Sequence, residues 1–104
     1  MSGRQGFDAK LVGETATVQF NFLARLAVGE TISTAAVAAS VYSGVDGSPS
    51  AIISGSASAS GAIVSQNVTA GVAGVIYELT CTVTTSAGQT LQLVGLLPVT
   101  NELP

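Results

Sequence analysis

The sequence predicts one all-β domain: an antiparallel β-sandwich of Ig-like or fibronectin-like type, with six to seven strands and no disulfide. Apolar and polar residues alternate with a period of two in several stretches, as in strands with one buried face. Turn-forming residues recur about every 8–12 positions, and no stretch has a convincing helical period. The chain has 104 residues, enough for one domain, and its one cysteine, Cys81, excludes an internal disulfide.

The chain begins with a polar, glycine-rich segment at residues 1–6, predicted to be a flexible or partner-bound arm. The folded domain is expected to span residues 7–104. Phe7 is the one bulky group near the arm, and we expect it to pack either onto the domain or into a neighbouring protein.

The first two long strands are predicted over residues 15–22 and 31–43. The first alternates cleanly, whereas the second is rich in alanine and is assigned as a strand because of its β-branched residues. Between them, residues 23–27 are expected to form a short turn or 3₁₀ piece whose leucines close the end of the core.

The middle of the chain is rich in glycine and serine. We interpret residues 44–50 as a turn and 51–54 as a short strand. The low-complexity run at residues 55–61 is predicted to be mobile, because it has no side chain that could anchor it. Another strand is expected over residues 62–69.

The last third is predicted to be a long hairpin, with strands over 75–85 and 90–99 and a turn at 86–89. The inward face carries Tyr77, Leu79, Cys81, Val83, Leu91 and Leu93. Val94 and Leu96 then point outward, and Pro98 is best suited to an edge strand. We therefore predict a protein interface formed by Phe7, Val94, Leu96 and Pro98.

The composition indicates an assembled state. Only 9% of the residues are charged, and small soluble domains usually carry far more charge on their surface. Coverage by other copies or other proteins would explain this, although serine and threonine could also supply polarity.

The net charge of −3 and the scattered basic residues argue against nucleic-acid binding. No apolar stretch forms a signal peptide or a membrane span, so we expect synthesis in a cytoplasm.

No catalytic, cofactor or metal site is predicted. Histidine is absent, and Cys81 lies on an apolar strand face, where it acts as a small hydrophobic residue. Tyr42 and Tyr77 are expected in the core. The carboxylates are spread singly and are expected to be solvated surface groups; they are Asp8, Glu14, Glu30, Asp46, Glu78 and Glu102.

Four segments resemble a family of small tailed-bacteriophage virion proteins of the fibre–tail adaptor type. They are the lead-in F-x-A-K-x-x-G-E at 7–14, the pair 18–22 and 26–32, and the stretch 69–90. The resemblance covers residues 7–99. It implies an Ig-like sandwich that attaches tail fibres to the tail, in several copies around a symmetry axis. Its implied partners are the tail tube, nozzle or adaptor and the tail fibre, with no enzymatic activity, nucleic acid or membrane.

Two other functions remain open at this stage. A capsid decoration or head-completion protein is also a small β-rich virion component. A carbohydrate-binding or adhesion module would need exposed aromatic side chains. The return strand also departs from the family pattern, because 91–99 is apolar where the family is charged and polar at first. This departure favours a covered face and leaves the identity of the partner open.

Overall fold

The computed structural model describes residues 5–7 and 9–101, and it consists of two β-sheets that enclose one core. The strands are β1 (Gln5–Gly6), β2 (Lys10–Leu11), β3 (Ala16–Asn21), β4 (Ile32–Ser43), β5 (Ile53–Ser60), β6 (Ile63–Val68), β7 (Ile76–Thr85) and β8 (Thr90–Thr100). The large sheet has the order β1-β8-β7-β4, with β2 also paired to β8, and the small sheet has the order β3-β6-β5. Two 3₁₀ turns, Leu23–Arg25 and Pro49–Ile52, complete the described elements.

The β7–β8 hairpin is the centre of the large sheet and agrees with the prediction. Burial alternates strictly along β7, and its buried side pairs Tyr77 with Leu97 and Cys81 with Leu93. Gly88 occupies the turn with a φ of 81°, a conformation that residues with a side chain rarely adopt. An all-β fold without a disulfide is confirmed, and the arrangement of two sheets is compatible with an Ig-like sandwich.

The core lies between the sheets and draws on both of them. The largest fully buried side chains are Tyr77, Phe20 and Phe22, which come from β7, from β3 and from the residue that follows β3. Burying an apolar side chain of this size stabilises the fold by about 1.5–3 kcal/mol. The remaining apolar core residues are Val18, Ile52, Val64, Val68, Val75, Leu79, Cys81, Val83, Leu97 and Val99.

The predicted mobile run at 55–61 is wrong, because most of it belongs to β5. Ser58, Ala59 and Ser60 pair with β6, and an irregularity in register lies between Ser54 and Ser58. The buried side chain of Gln66 fills this irregularity, and its Nε2 donates to the carbonyl oxygens of Ser54 and Gly55 at 3.1 Å each. The anchor therefore comes from the neighbouring strand.

The N-terminal strands make the topology less uniform than predicted. β1 and β2 run parallel to β8, so the sandwich is not wholly antiparallel, and the described residues form eight strands where six to seven were expected. The two extra strands have two residues each, too short for an alternation that a sequence could reveal. β1 also brings the end of the expected arm into the sheet, while residues 1–4 of that arm lie outside the described residues.

Three further expectations about single residues are wrong. Of the two leucines expected to close the core, Leu23 is 71% exposed, whereas Leu26 is half-buried and packs against the core as expected. Tyr42 is 52% exposed, because alternation along β4 turns it outward while its neighbour Val41 packs against the core. Pro98 does not lie on an edge strand, since β8 pairs with β7 on one side and with β1 and β2 on the other.

Candidate docking face

The structure places Val94, Leu96 and Pro98 in one row on the outer face of the large sheet. They lie opposite Thr80, Glu78 and Ile76 of β7, and each is half-buried. Their neighbours Gly95, Leu97 and Val99 are buried on the core side, as alternation along a strand requires. Val94 and Leu96 thus point outward, as expected, although they are half-buried rather than exposed, and the protein interface predicted there stays a prediction.

Phe7 is not part of this row. Its ring lies 5.4 Å from that of Phe20 at an interplanar angle of 86°, an edge-to-face contact against the core. Its backbone N–H donates to the carbonyl oxygen of Leu96 at 3.0 Å, which fixes the chain beside β8. Of the two expectations for Phe7, the structure shows the one in which the ring packs onto its own domain.

The missing N–H of Pro98 is accommodated without a gap in the β7–β8 ladder. The N–H of Val99 donates to Val75 at 2.9 Å, so odd-numbered residues of β8 point their backbone groups toward β7. Even-numbered residues point toward the N-terminal strands. Pro98 therefore faces the interruption between β1 and β2, where its lack of a donor removes no ladder bond with β7.

We define the outer face as the outward side chains of the three long strands of the large sheet. It spans roughly 14 Å by 30 Å, or about 400 Å², at normal strand and residue spacings. Alanine, threonine and apolar branched residues dominate it, and its one charged member is Glu78. The members are Thr34, Ala36, Ala38 and Ser40 from β4; Ile76, Glu78, Thr80, Thr82 and Thr84 from β7; and Gln92, Val94, Leu96 and Pro98 from β8.

The small sheet presents a different outer surface. Polar side chains from β3 and β6 and from the residues beside them hydrogen-bond to one another across it: Thr15 to Thr69, Thr17 to Asn67 and Gln19 to Ser65. Such a surface is well satisfied in water. The outer face is mixed, because its polar side chains, among which Gln92 donates to Thr82 at 2.9 Å, lie beside the half-buried apolar groups of Ile76, Val94, Leu96 and Pro98. The two sides of the sandwich therefore differ in chemistry.

Buried polar groups, which the sequence analysis missed, hold together the end of the sandwich where β8 finishes. Lys10 is 2% exposed, and its Nζ donates to the carbonyl oxygens of Leu11 at 2.7 Å and Ala70 at 2.6 Å. Burial lowers the pKa of Lys10, and the nearby charge of Glu14 opposes that effect. The only sequence signal was a cation set among the apolar residues of the F-x-A-K lead-in.

A second bridge at the same end runs through Tyr77. Its hydroxyl donates to Asp46 at 2.6 Å and accepts the N–H of Val72 at 2.8 Å, which joins the β4–β5 and β6–β7 connections. Burial and the bond to Asp46 raise the pKa of Tyr77. The hydrogen bond from the Tyr77 hydroxyl and, to a smaller extent, that from the Ser48 N–H lower the pKa of Asp46. Asp46 was expected to be only a solvated surface carboxylate.

The opposite end carries a shallow apolar cleft of about 430 Å³. Leu23, Leu26 and Val28 line it, and Val28 is fully exposed. Glu30 fixes the loop by accepting the N–H of Ala27 at 2.8 Å and the hydroxyl of Thr85 at 2.5 Å. The hydrogen bond from the Ala27 N–H and, to a smaller extent, that from the Thr85 hydroxyl lower the pKa of Glu30.

Within the described residues, the chemistry of these surfaces is sparse. No three metal-ligating side chains cluster there, and no helix is long and apolar enough to cross a membrane. Cys81 is buried, and this burial raises the pKa of its thiol to about 11. The thiol therefore stays protonated at neutral pH and has little nucleophilic character. Asp8 and Glu102, counted among the carboxylates, lie outside the described residues.

Fold and surfaces together define a small all-β module with one polar outer side and one outer side of mixed polar and apolar groups. Comparison with protein families gives a match over residues 10–98 to the model described as podophage GP4 fiber-tail adaptor protein gp77. The chain belongs to this family of phage fibre–tail adaptor structural proteins, and the family resemblance is confirmed. Membership makes it a component of the virion tail. Neither the curated proteins nor the solved structures give a match.

Proposed function

We propose that the chain is a non-enzymatic adaptor that attaches tail fibres to the phage tail through the outer face of its large sheet. Family membership supports the adaptor role, and the chemical contrast between the two outer surfaces carries the choice of face. Several copies around the tail axis would meet the tube or nozzle and the fibre. The protein would be made in the cytoplasm of the host bacterium and enter the virion during assembly.

The outer face suits a flat, apolar partner surface. Val94 and Leu96 sit next to each other on β8, with small threonine and alanine side chains beside them on β7 and β4. A partner can approach such a face closely, because Glu78 is the one charged side chain among its described members, and Arg25 reaches it only through the carbonyl oxygen of Gln92. Apolar burial of this kind is the main favourable term in most protein association.

Leu96→Lys tests the proposal. We expect the variant to fold, because the changed side chain lies outside the core, and to enter particles at least about tenfold less than the native chain. A buried lysine without a partner would cost well above the 1.4 kcal/mol that corresponds to tenfold. Quantitative mass spectrometry of purified virions, from a phage whose own copy is replaced by the variant, measures this incorporation.

Ser58→Lys is the matched control, since it adds the same charge to an exposed position on the outer surface of the small sheet. Its incorporation should equal that of the native chain. If Leu96→Lys enters particles normally, the outer face is not the docking surface. If the native protein is found over the capsid lattice instead of at the tail, the attachment role itself is wrong.

A further inference from the structure

The outer strand of the large sheet, β4, has no paired strand on one edge within the described residues, while β5 of the small sheet and the Pro49–Ile52 turn pack close to it. It pairs with β7 alone within the described part of the chain, and it runs for 12 residues without a charge or a proline. Natural proteins usually protect such edges with lysine, proline or coverage, because unpaired backbone groups recruit other strands. The side chains of Ala36, Ala38 and Ser40 next to this edge are exposed.

The backbone groups that face the open edge can be identified from the β7–β8 hairpin. Val99 donates to Val75 near one end, and Thr85 donates to Gln89 at 2.8 Å at the other end. Odd-numbered residues of β7 therefore direct their backbone groups to β8, and even-numbered residues direct theirs to β4.

The same alternation applies to β4, whose even residues pair with even residues of β7, as Ala38 does with Thr80. Even residues of β4 thus make the bonds within the sheet. The N–H and C=O groups of the odd residues point outward to the open edge: Ala35, Val37, Ala39 and Val41. Their spacing of two residues, about 6.8 Å, is that of another extended strand.

We propose that a second copy of this chain occupies the edge, with β4 pairing antiparallel to β4 about a two-fold axis at Val37. This register sets the outward backbone groups of Val37 against those of Val37 in the second copy. Ala35 then lies opposite Ala39. Each of these is a hydrogen-bonded pair, so the odd residues of both strands are satisfied together.

The side chains of β4 suit this self-pairing. On the outer face, Ala36 lies opposite Ala38, and Thr34 lies opposite Ser40, so no bulky or charged groups meet. Irregularities at Ile32–Thr34 and Val41–Ser43 bound the regular part of β4, and Val37 lies at its middle. Bulges of this kind end strand pairing, which limits the contact to the central residues.

Pairing would join the outer faces of the two large sheets into one surface. A two-fold axis perpendicular to the sheets keeps both outer faces on the same side. The joined surface would reach roughly 800 Å², the area that one partner contributes to a standard protein interface. The inference is independent of the proposed attachment role, since it concerns contacts between copies.

Cysteine cross-linking tests the register. In the proposed dimer, position 36 lies about 4.5 Å from position 38 of the other copy, between α-carbons, within the range of a disulfide. The same position in the two copies, such as 36 and 36, lies on a diagonal of the strand pair, with its α-carbons about 7–8 Å apart. A mixture of Ala36→Cys and Ala38→Cys chains should therefore cross-link at least about tenfold faster than either variant alone. The native chain, with its buried Cys81, is the background control.

Analytical ultracentrifugation of the isolated chain tests the dimer itself. We expect a reversible dimer that Ala38→Lys weakens at least about tenfold, because the two lysines would lie on a diagonal about 7–8 Å apart, where like charges repel. Ser58→Lys, on the edge strand of the other sheet, should change the dimer affinity less than about twofold.

Two results would overturn the inference. If the chain remains monomeric at millimolar concentration, β4 does not pair with β4 of a second copy. The same result is expected if a strand of another protein occupies this edge. Equal cross-linking in the mixed and single samples would exclude the register. Both outcomes are distinct from loss of incorporation by Leu96→Lys, which tests the attachment role.

Discussion

Lys10 shows at the scale of one residue how this domain uses a buried cation. Its ammonium group lies among the carbonyl oxygens of Leu11, Val12 and Ala70, at 2.7, 3.4 and 2.6 Å. Ala70 is the one non-glycine residue with a positive φ in the described chain, at 54°. The lysine thus links β2 to a strained connection that leads into β7, and it holds the N-terminal strands at the end of the sandwich.

Lys10→Met should destabilise the protein by about 1–3 kcal/mol, because it keeps the apolar stem but leaves buried carbonyl oxygens without their donor. Arg25→Met is the matched control: it also replaces a cation, but at an exposed site with one bond to the carbonyl of Gln92 at 3.2 Å. The control should cost about 0.5 kcal/mol or less. Urea unfolding at neutral pH measures both, and equal effects would contradict the assigned role of Lys10.

At the scale of an element, β5 depends on a side chain from β6. Gln66 is 1% exposed, and its amide nitrogen donates to Ser54, Gly55 and Asn67. Gly55 has a φ of 73°, so the chain bends there before pairing resumes at Ser58. The amide replaces the ladder bonds that the irregular register removes.

Gln66→Leu should lower the free energy of unfolding by about 1–3 kcal/mol, since carbonyl oxygens at the irregularity lose their donor. Amide hydrogen exchange should accelerate first in β5, while β7 stays protected. Gln89→Leu, at an exposed position in the β7–β8 turn, is the control and should leave exchange in β5 unchanged. Uniform acceleration across both sheets would argue against a local role for Gln66.

The long strands could be predicted from the sequence because their burial pattern repeats every second residue. β3, β4, β6, β7 and β8 fall where alternation or β-branched residues place them, and the outward direction of Val94 and Leu96 follows from the same rule. β5 could not be predicted in this way, because its serine and alanine residues carry no pattern and its anchor, Gln66, lies in another strand. The same limit applies to Lys10, whose acceptor Ala70 is 60 residues away.

Across the whole molecule, hydrogen bonds from polar side chains fix the two ends of the sandwich, while the outer surfaces of the two sheets differ in composition. Lys10 and the Tyr77–Asp46 bond hold one end, and Glu30 holds the loop that carries Leu23 and Val28 at the other. An adaptor benefits from this arrangement, because surfaces held in place before binding lose less conformational entropy when a partner docks.

The hydrogen bonds accepted by Asp46 and Glu30 also predict how stability depends on pH. In the folded protein the pKa of Asp46 lies below its unfolded value of 3.8, and the pKa of Glu30 lies below its unfolded value of 4.5. Each therefore stabilises the fold above its unfolded pKa, and this contribution is lost as the pH falls through the lower folded pKa. The free energy of unfolding should be level near neutral pH and should begin to fall near pH 4.5.

Asp46→Asn and Glu30→Gln together test this origin of acid sensitivity. An amide has one acceptor oxygen where each carboxylate uses two, so the double variant should be less stable at neutral pH. It should also lose stability less steeply below pH 4.5, because the groups that gain protons on unfolding are gone. Urea unfolding from pH 3 to 7 measures both effects. An unchanged acid slope would place the sensitivity in other carboxylates.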